Sequence, residues 1–171
     1  MSHHVGQGEF AVSSGDGTVL STVLGSCVAT CLFDLGNRVG GMNHFLLAEA
    51  PRGTSSAYYG IHAMELLVNA IMKAGGDRRR LAAKAFGGAH VLSERTDIGE
   101  RNATFVKRFL ADEGIPCLGE SLGGGRARRI FFHPGTGSVR MSFVDTPVQA
   151  LSQPAGTAAA LQTGAGDVDL F

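Results

Sequence analysis

The residues of this sequence that could do chemistry are a cysteine and a histidine. Cys27 follows a turn at Gly25-Ser26, and His44 follows the glycine-led segment Gly40-Gly41. A thiol becomes a catalytic nucleophile when a base lies within reach and N–H donors await the developing oxyanion. Gly25 permits a tight turn that, with Ser26, leaves amide groups uncovered for that purpose. Spacing alone favours two ordinary core residues, because one Cys and one His occur together by chance in most chains.

The remaining motifs indicate neither a metal nor a nucleotide site. Cys31 lies four residues after Cys27, which in a strand puts both side chains on one face, but further ligands at sensible spacing are missing. We interpret Cys31 and Cys117 as core residues. The triple glycine at 123–125 lacks the Lys-Ser/Thr and the helix of a phosphate-binding loop. We therefore expect no cofactor and no metal.

The elements around the cysteine and the histidine are predicted to be strands. Apolar runs at 28–33 and 39–47 flank turn residues at 34–37, a pattern typical of an antiparallel hairpin. Such a hairpin would bring Cys27 and His44 together across neighbouring strands. Further strands are predicted at 9–13, 18–23, 81–86, 115–122, 129–133 and 138–144.

Two segments have the periodicity of helices. In residues 58–74, Ile61, Met64, Val68 and Ile71 recur at three- and four-residue steps and form one apolar face. Residues 98–113 follow a predicted capping box of Asp97 and Glu100. Strands outnumber helices and do not alternate with them, which favours an α/β fold of the α+β type with mixed or antiparallel sheets.

Composition limits the class of protein. The chain has 171 residues, and 15 basic residues balance 15 acidic ones, so it is no general binder of nucleic acid or anionic membrane. Three cysteines at irregular spacing, without a signal peptide or a membrane-spanning run, indicate a cytoplasmic protein. We predict a single domain over residues 1–146 and a flexible tail over residues 147–171, with a short apolar end.

Several stretches together resemble the CheD family, the chemoreceptor glutamine deamidases of bacterial chemotaxis. They include LGSCVATCLFD at 24–34, RVGGMNHFLL at 38–47 and YYGIHAMELLVNAIMKAGG at 58–76, and the likeness continues in one order to about residue 145. The resemblance implies layered β-sheets with helices outside, similar to the catalytic domain of toxins that deamidate glutamine in small GTPases.

The resemblance also implies a mechanism. Cys27 would be the nucleophile and His44 the base, with backbone amides near Gly25 and Ser26 holding the oxyanion. The family's third site residue is a threonine six positions before the cysteine, where this chain has Ser21. Thr22 is the alternative third member, because it lies next to that position.

The implied substrates are the cytoplasmic helices of chemoreceptors, and a CheC-type phosphatase is a further partner of such proteins. We expect a monomer when the protein is free. The loop at 48–57 would line the site, and the glycines at 40–41, 87–88 and 123–125 would let a helical rod come close. The alternatives are an adaptor that regulates a CheC-type phosphatase through the same cleft, and a cysteine peptidase or general amidase.

Overall fold

A computed structural model of the protein describes residues 1–91, 97–145 and 168–171. Within those ranges the chain forms two five-stranded sheets and two α-helices. The strands are β1 (Ser2–His4), β2 (Phe10–Ser14), β3 (Val19–Leu24), β4 (Val28–Asp34), β5 (Val39–Phe45), β6 (Ala82–Gly87), β7 (Cys117–Leu122), β8 (Ala127–His133), β9 (Ser138–Val144) and β10 (Val168–Leu170), and the helices are α1 (Ser56–Lys73) and α2 (Ile98–Asp112).

The two sheets interleave in sequence. The first sheet has the order β1-β3-β8-β9-β10, and the second has the order β2-β5-β4-β6-β7. Most neighbours are antiparallel, while β1 pairs with β3 and β7 pairs with β6 in parallel. The predicted α+β class with mixed sheets is confirmed, as is the antiparallel hairpin of β4 and β5.

The molecule has three layers and two apolar cores. One core lies between the sheets and contains the largest buried side chains of β3 and β8, such as Leu20 and Phe132. The other core lies between the second sheet and the helices. Every residue of β4 and β5 is buried, because both faces of the second sheet are covered. This explains why apolar residues stand on both faces of these strands instead of alternating with exposed polar ones.

Helix α1 begins where a cap allows it. The Ser55 hydroxyl accepts a hydrogen bond from the Tyr58 amide at 3.1 Å, so the helix starts before the predicted residue 58. It ends before Gly75, whose φ of 102° suits glycine. The predicted face is wrong at Ile61, which is 46% exposed, whereas Gly60 is buried.

Helix α2 is confirmed, but its predicted capping box is wrong. Asp97 occupies the position before the helix, and its side chain makes no capping hydrogen bond. Its carboxylate instead lies 3.9 Å from Arg101 on the surface. The apolar residues Val106, Phe109 and Leu110 face the core as predicted. Packing of this face, rather than a cap, holds the helix on the sheet.

The glycine segments differ from what the sequence predicted. Gly40 and Gly41 are buried inside the second sheet, so they do not form an open surface for a substrate. A Cβ on Gly40 would lie 2.6 Å from the Leu32 carbonyl oxygen. The glycines at 123–125 connect β7 in the second sheet to β8 in the first, so the strands on either side of this loop do not pair with each other.

Both ends of the chain are incorporated into the first sheet. β1, which the sequence analysis did not predict, pairs with β3 from Ser2 to His4. β10 pairs with β9, and the backbones of Phe171 and Val139 exchange hydrogen bonds of 2.9 and 3.0 Å. The predicted flexible tail over 147–171 falls mostly outside the described residues, but the last four residues lie in the sheet.

Candidate active site

The segment between β1 and β2 crosses from one sheet to the other above the candidate site. The Val5 amide donates to the Ser21 carbonyl in the first sheet at 2.8 Å. The Gly8 amide donates to the His44 carbonyl in the second sheet at 2.7 Å, and the His44 amide donates to the Glu9 carbonyl at 3.0 Å. The segment is therefore fixed at both ends directly beside His44.

The register of the β4–β5 hairpin places Cys27 and His44 on the same face. Ala29 lies opposite His44, and Cys27 is two residues before Ala29, so the pair are diagonal neighbours. Diagonal neighbours in antiparallel strands are about 7 Å apart, within reach of each other's side chains. Both point between the two sheets, where Cys27 is 9% and His44 6% exposed.

The hydrogen bonds of His44 determine which nitrogen is free. The Thr22 hydroxyl donates to the Val5 carbonyl at 2.7 Å, so its oxygen accepts from Nδ1–H of His44 at 2.9 Å. This tautomer leaves fewer buried polar groups without a hydrogen-bond partner than the other tautomer, in which a buried Nε2–H would lack an acceptor. Nε2 is buried and has no partner among the described residues. His44 therefore presents an unprotonated Nε2, the form that a general base requires.

The structure brings Thr22, not Ser21, to the histidine. Side chains alternate along β3, and Leu20, Thr22 and Leu24 are the buried ones. Ser21 points to the other side of the sheet and is only half-buried, opposite Phe131 of β8. Its hydroxyl therefore lies on the wrong face to orient the imidazole.

Burial shifts the pKa of both the Cys27 thiol and the His44 imidazole. Burial, assisted by the charge of Glu49, raises the pKa of Cys27 to about 12. Burial also lowers the pKa of His44 to about 4, because the charged imidazolium is poorly solvated there. The resting site is therefore a neutral thiol beside a neutral imidazole rather than an ion pair.

The turn before Cys27 is held by its carbonyls. The Gly25 carbonyl accepts from Ala89 at 2.9 Å, and the Cys27 carbonyl accepts from Gly88 at 2.8 Å. The Ser26 carbonyl accepts from the Asn102 side chain at 2.7 Å. The N–H groups of Gly25 and Ser26, in contrast, donate to no group in the part of the chain that the structure describes, and the Cys27 N–H points to its own sulfur. They are the donors available to a developing oxyanion.

Comparisons with known proteins support the similarity of the whole chain. The family model described as CheD chemotactic sensory transduction matches residues 46–143. The "Probable chemoreceptor glutamine deamidase CheD 1" of Ruegeria sp. (strain TM1040) is 53% identical over 139 residues, which is 81% of this chain and 74% of the relative. This chain belongs to the CheD family.

Two further CheD relatives extend the similarity over the segment that holds Cys27 and His44. Proteins named "Probable chemoreceptor glutamine deamidase CheD" from Cereibacter sphaeroides and Caulobacter vibrioides (strain NA1000 / CB15N) are 49% and 45% identical. Each match covers 98% of this chain, with 84% and 92% of the relative respectively. A solved structure of the Neisseria meningitidis protein NMB0706 matches 68% of this chain and 52% of its own, with 10% identity and a TM-score of 0.41, too low to bear on the fold or the site.

Sequence reasoning placed the 48–57 loop, which holds Glu49, at this CheD site, but it missed Val5, Gln7 and Asn102. Val5 fixes the imidazole together with Thr22, and Asn102 of α2 joins the Ser26 carbonyl to the Leu47 amide, from which it accepts at 3.1 Å. Gln7 accepts a hydrogen bond from the Cys27 thiol at 3.1 Å, and Glu49 accepts one from the Gln7 amide. No local motif marks these residues, because each comes from a segment that only the tertiary fold brings to Cys27.

The other cysteines of this CheD chain lie away from His44 and Thr22. Cys31 is fully buried in the core between the sheets, as predicted, whereas Cys117 is exposed, so its interpretation as a core residue is wrong. Across residues 1–91, 97–145 and 168–171, no three His, Cys, Asp or Glu residues are grouped as a metal site would require. Within the same ranges, neither helix is long and apolar enough to cross a membrane.

Proposed function

We propose that this CheD protein is a protein-glutamine deamidase that converts glutamines of chemoreceptors to glutamate, with Cys27 as nucleophile and His44 as base. The carrying observation is the unpartnered, buried Nε2 of His44, whose other nitrogen is satisfied by Thr22 and Val5. A buried imidazole with one free lone pair, on the strand beside the thiol and facing the same side of the sheet, suits acyl transfer. Membership in a family whose relatives are named chemoreceptor glutamine deamidases supplies the substrate class.

The protonation of the site defines the first step. Because the pKa of Cys27 is about 12 and that of His44 about 4, a stable thiolate–imidazolium pair does not form in advance. Sulfur therefore attacks the carboxamide carbon while its proton passes to Nε2 of His44. The carbonyl oxygen becomes an oxyanion held by the amides of residues 25–27.

The second half of the reaction reverses the roles. The imidazolium gives its proton to the nitrogen, ammonia leaves, and a thioester between Cys27 and the substrate remains. Neutral His44 then removes a proton from a water molecule, which attacks the thioester carbon. The collapse returns the proton to sulfur and releases glutamate. Thr22 and Val5 keep Nδ1 protonated throughout, so Nε2 faces the reacting atoms.

The surroundings of His44 suit a protein substrate. A cleft of about 80 Å³ beside the main chain of His44 is lined by residues of β2, β5 and α1, on the helix side of the second sheet rather than the side that holds the Cys27 thiol. Phe10 and Leu66 in its wall are each 41% exposed. Apolar exposed side chains around a polar centre are typical of a surface that accepts another protein. We propose that a receptor helix docks along this edge in the cytoplasm and brings its glutamine to Cys27 from the solvent side, where Gln7 lies, with a monomer as the acting species and a CheC-type phosphatase as a further partner.

The experiment is intact-peptide mass spectrometry of a chemoreceptor cytoplasmic fragment incubated with the protein. We expect conversion of specific glutamines to glutamate by the wild type and none by Cys27→Ala. Cys31→Ala and Cys117→Ala serve as matched thiol controls and should retain activity. Activity in Cys27→Ala would refute the nucleophile, and backbone cleavage of the fragment would indicate a peptidase instead.

Free glutamine tests the substrate class. It offers few contacts to offset the entropy of binding, so kcat/KM should be far lower than for the receptor fragment. Comparable values of kcat/KM for the two substrates would indicate a metabolic glutaminase rather than a deamidase of proteins.

A further inference from the structure

The thiol of Cys27 is already in contact with a carboxamide, and that carboxamide belongs to the protein itself. The Cys27 thiol donates to Oε1 of Gln7 at 3.1 Å. The amide nitrogen of the same side chain donates to a carboxylate oxygen of Glu49. Gln7 and Glu49 are both exposed, whereas Cys27 is 9% exposed, so the two polar side chains cover the thiol from the solvent side.

The group that Gln7 presents is chemically the same as the reacting group of a substrate glutamine. Such a substrate must bring its carbonyl to the thiol and its NH₂ to an acceptor. Glu49 provides that acceptor, since an ionised carboxylate only accepts hydrogen bonds. A glutamate product has no NH₂ to donate, and its own carboxylate would be repelled by Glu49. One residue could thus favour the substrate amide and reject the product acid.

We propose that Gln7 is an internal competitor for the Cys27 site, and that Glu49 recognises the carboxamide NH₂ of Gln7 and of a substrate glutamine alike. The proposal rests on the proposed function, because it names how the same site binds its substrate. It assigns Gln7 a regulating role and Glu49 a role in specificity.

The main chain around Gln7 is built to keep the side chain at the site. The Val5 amide is bonded to the first sheet and the Gly8 amide to the second, on either side of Gln7. The Gly6 amide also donates to the Glu9 carboxylate at 2.8 Å. A side chain held by a fixed backbone competes as an intramolecular group, which gives it a high effective concentration. A substrate glutamine would displace the side chain of Gln7 without unfolding the segment.

Alkylation of Cys27 by iodoacetamide, without any substrate, tests the contact directly. The rates at Cys27 and Cys117 are read in the same sample by peptide mass spectrometry, so the exposed Cys117 serves as an internal standard. Loss of one net hydrogen bond corresponds to about a fivefold change in occupancy. Gln7→Ala should therefore raise the Cys27/Cys117 ratio about fivefold. An unchanged ratio would overturn the proposal.

Kinetics on a receptor fragment separate the two roles. Gln7→Ala should lower the apparent KM by about the same fivefold factor, because the competitor is gone. Glu49→Gln should reduce kcat/KM for the glutamine substrate roughly fivefold, because the amide oxygen of Gln accepts from the substrate NH₂ more weakly than a carboxylate does. The same variant should increase alkylation of Cys27, because a nearby negative charge is removed. Glu120→Gln on the distant strand β7 is the matched control. It should change neither kcat/KM nor the alkylation rate of Cys27. An unchanged kcat/KM in Glu49→Gln would overturn the role of Glu49.

The two readouts distinguish this proposal from the proposed function. If the wild type leaves receptor glutamines unmodified, the deamidase function fails, while the alkylation ratio still reports whether Gln7 covers the thiol. If the wild type deamidates the fragment but Gln7→Ala alters neither the alkylation ratio nor the KM, the internal competitor fails and the deamidase function stands.

Discussion

At the scale of single residues, the site depends on which hydroxyl meets the histidine. Ser21 and Thr22 are adjacent in the sequence, but alternation along β3 sends only Thr22 between the sheets. Its hydroxyl contacts both the Val5 carbonyl and Nδ1 of His44, so one group fixes the tautomer and the orientation of the ring. Cys27 and His44 keep the places that the sequence predicted, and we propose Thr22 as the third member.

The first prediction concerns this hydroxyl. Thr22→Val keeps the shape of the side chain but removes the hydrogen bond, so kcat for a receptor fragment should fall roughly ten- to a hundredfold. Thr22→Ser retains the hydroxyl and should restore most of the rate. Ser21→Ala is the neighbouring control and should leave the rate unchanged. A slow Ser21→Ala beside a fast Thr22→Val would return the role to Ser21.

The second prediction concerns pH. The pKa of His44 is lowered to about 4 from an ordinary value of 6.5, so the base stays neutral well below neutral pH. The rate kcat/KM should therefore hold constant from neutral pH down to about 5 and fall only as His44 protonates near 4. The same pKa shift makes the free energy of unfolding depend on pH. As pH falls below 6.5, His44 is protonated in the unfolded chain before it is protonated in the folded one. The stability that neutral His44 contributes is therefore full above pH 6.5 and is lost as pH falls toward 4. Rate and denaturation profiles measured between pH 7 and 4 check both; an acid limb near 6.5 would contradict the depressed pKa.

At the scale of elements, the end of β6 determines the path of the Cys27 turn. Gly87 has a φ of 108°, and a Cβ there would overlap the carbonyl oxygen of Cys27. The next residue, Gly88, donates its amide to that same carbonyl. This pair of glycines is buried against the Cys27 turn and α2, so it does not offer the open surface for a helical rod that the sequence predicted.

The third prediction follows from that contact with the Cys27 turn. Gly87→Ala should destabilise the fold by about 2 kcal/mol or more and reduce kcat, because the turn carrying Cys27 must move. Gly124→Ala is the matched control, since Gly124 also has a positive φ of 73° but only the Arg128 side chain, at 3.8 Å, near its would-be Cβ. Chemical denaturation and kcat are measured on both variants. Both variants carry the strain of a positive φ, whereas only Gly87→Ala adds an overlap with the Cys27 carbonyl, so the comparison separates the two effects. Equal losses of kcat in the two variants would contradict the role of the Cys27 contact.

A cluster of three arginines, at residues 78–80, lies just before β6. Arg78 pairs with Glu65 and Glu113, and Arg80 pairs with the buried carboxylate of Asp34 at 3.0 Å. The bond to Arg80 lowers the pKa of Asp34 to about 2. These arginines are therefore engaged within the protein, where they connect β4 and the helices to the segment before β6, rather than offering a free basic patch.

At the scale of the whole molecule, the two chain ends complete the first sheet. β1 leads into the segment that holds Val5 and Gln7 over the site. At the other edge, the ring of Phe171 lies edge-on to that of Phe86, with centroids 5.5 Å apart. Phe86 belongs to the second sheet, so the last residue of the chain joins the two sheets.

The fourth prediction concerns this contact. Phe171→Ala should lower the free energy of unfolding by about 1–2 kcal/mol, because a partly buried aromatic ring leaves the interface between the sheets. The kcat should stay near that of the wild type, since the ring and main chain of Phe171 contact Phe86 and Val139 rather than His44 or Thr22. Thermal denaturation is the measurement, and Leu170→Ala, which removes a 77% exposed side chain of the same strand, is the control. Equal stability of Phe171→Ala and the wild type would show that the end of the chain does not bind the sheet in solution.

The sequence by itself determined the α+β class and the hairpin that carries Cys27 and His44, which we propose as nucleophile and base. These depend on local information: apolar runs, turn residues, helical periodicity and a collinear family resemblance. The tertiary structure decided which residues contact Cys27 and His44. Thr22 rather than Ser21 contacts His44 because side chains alternate along β3 and the second sheet packs against only one face of the first sheet. Gln7 reaches Cys27 because the link from β1 to β2 crosses between the sheets, and Glu49, which follows β5, meets Gln7 there. No pattern of neighbouring residues encodes this long-range arrangement.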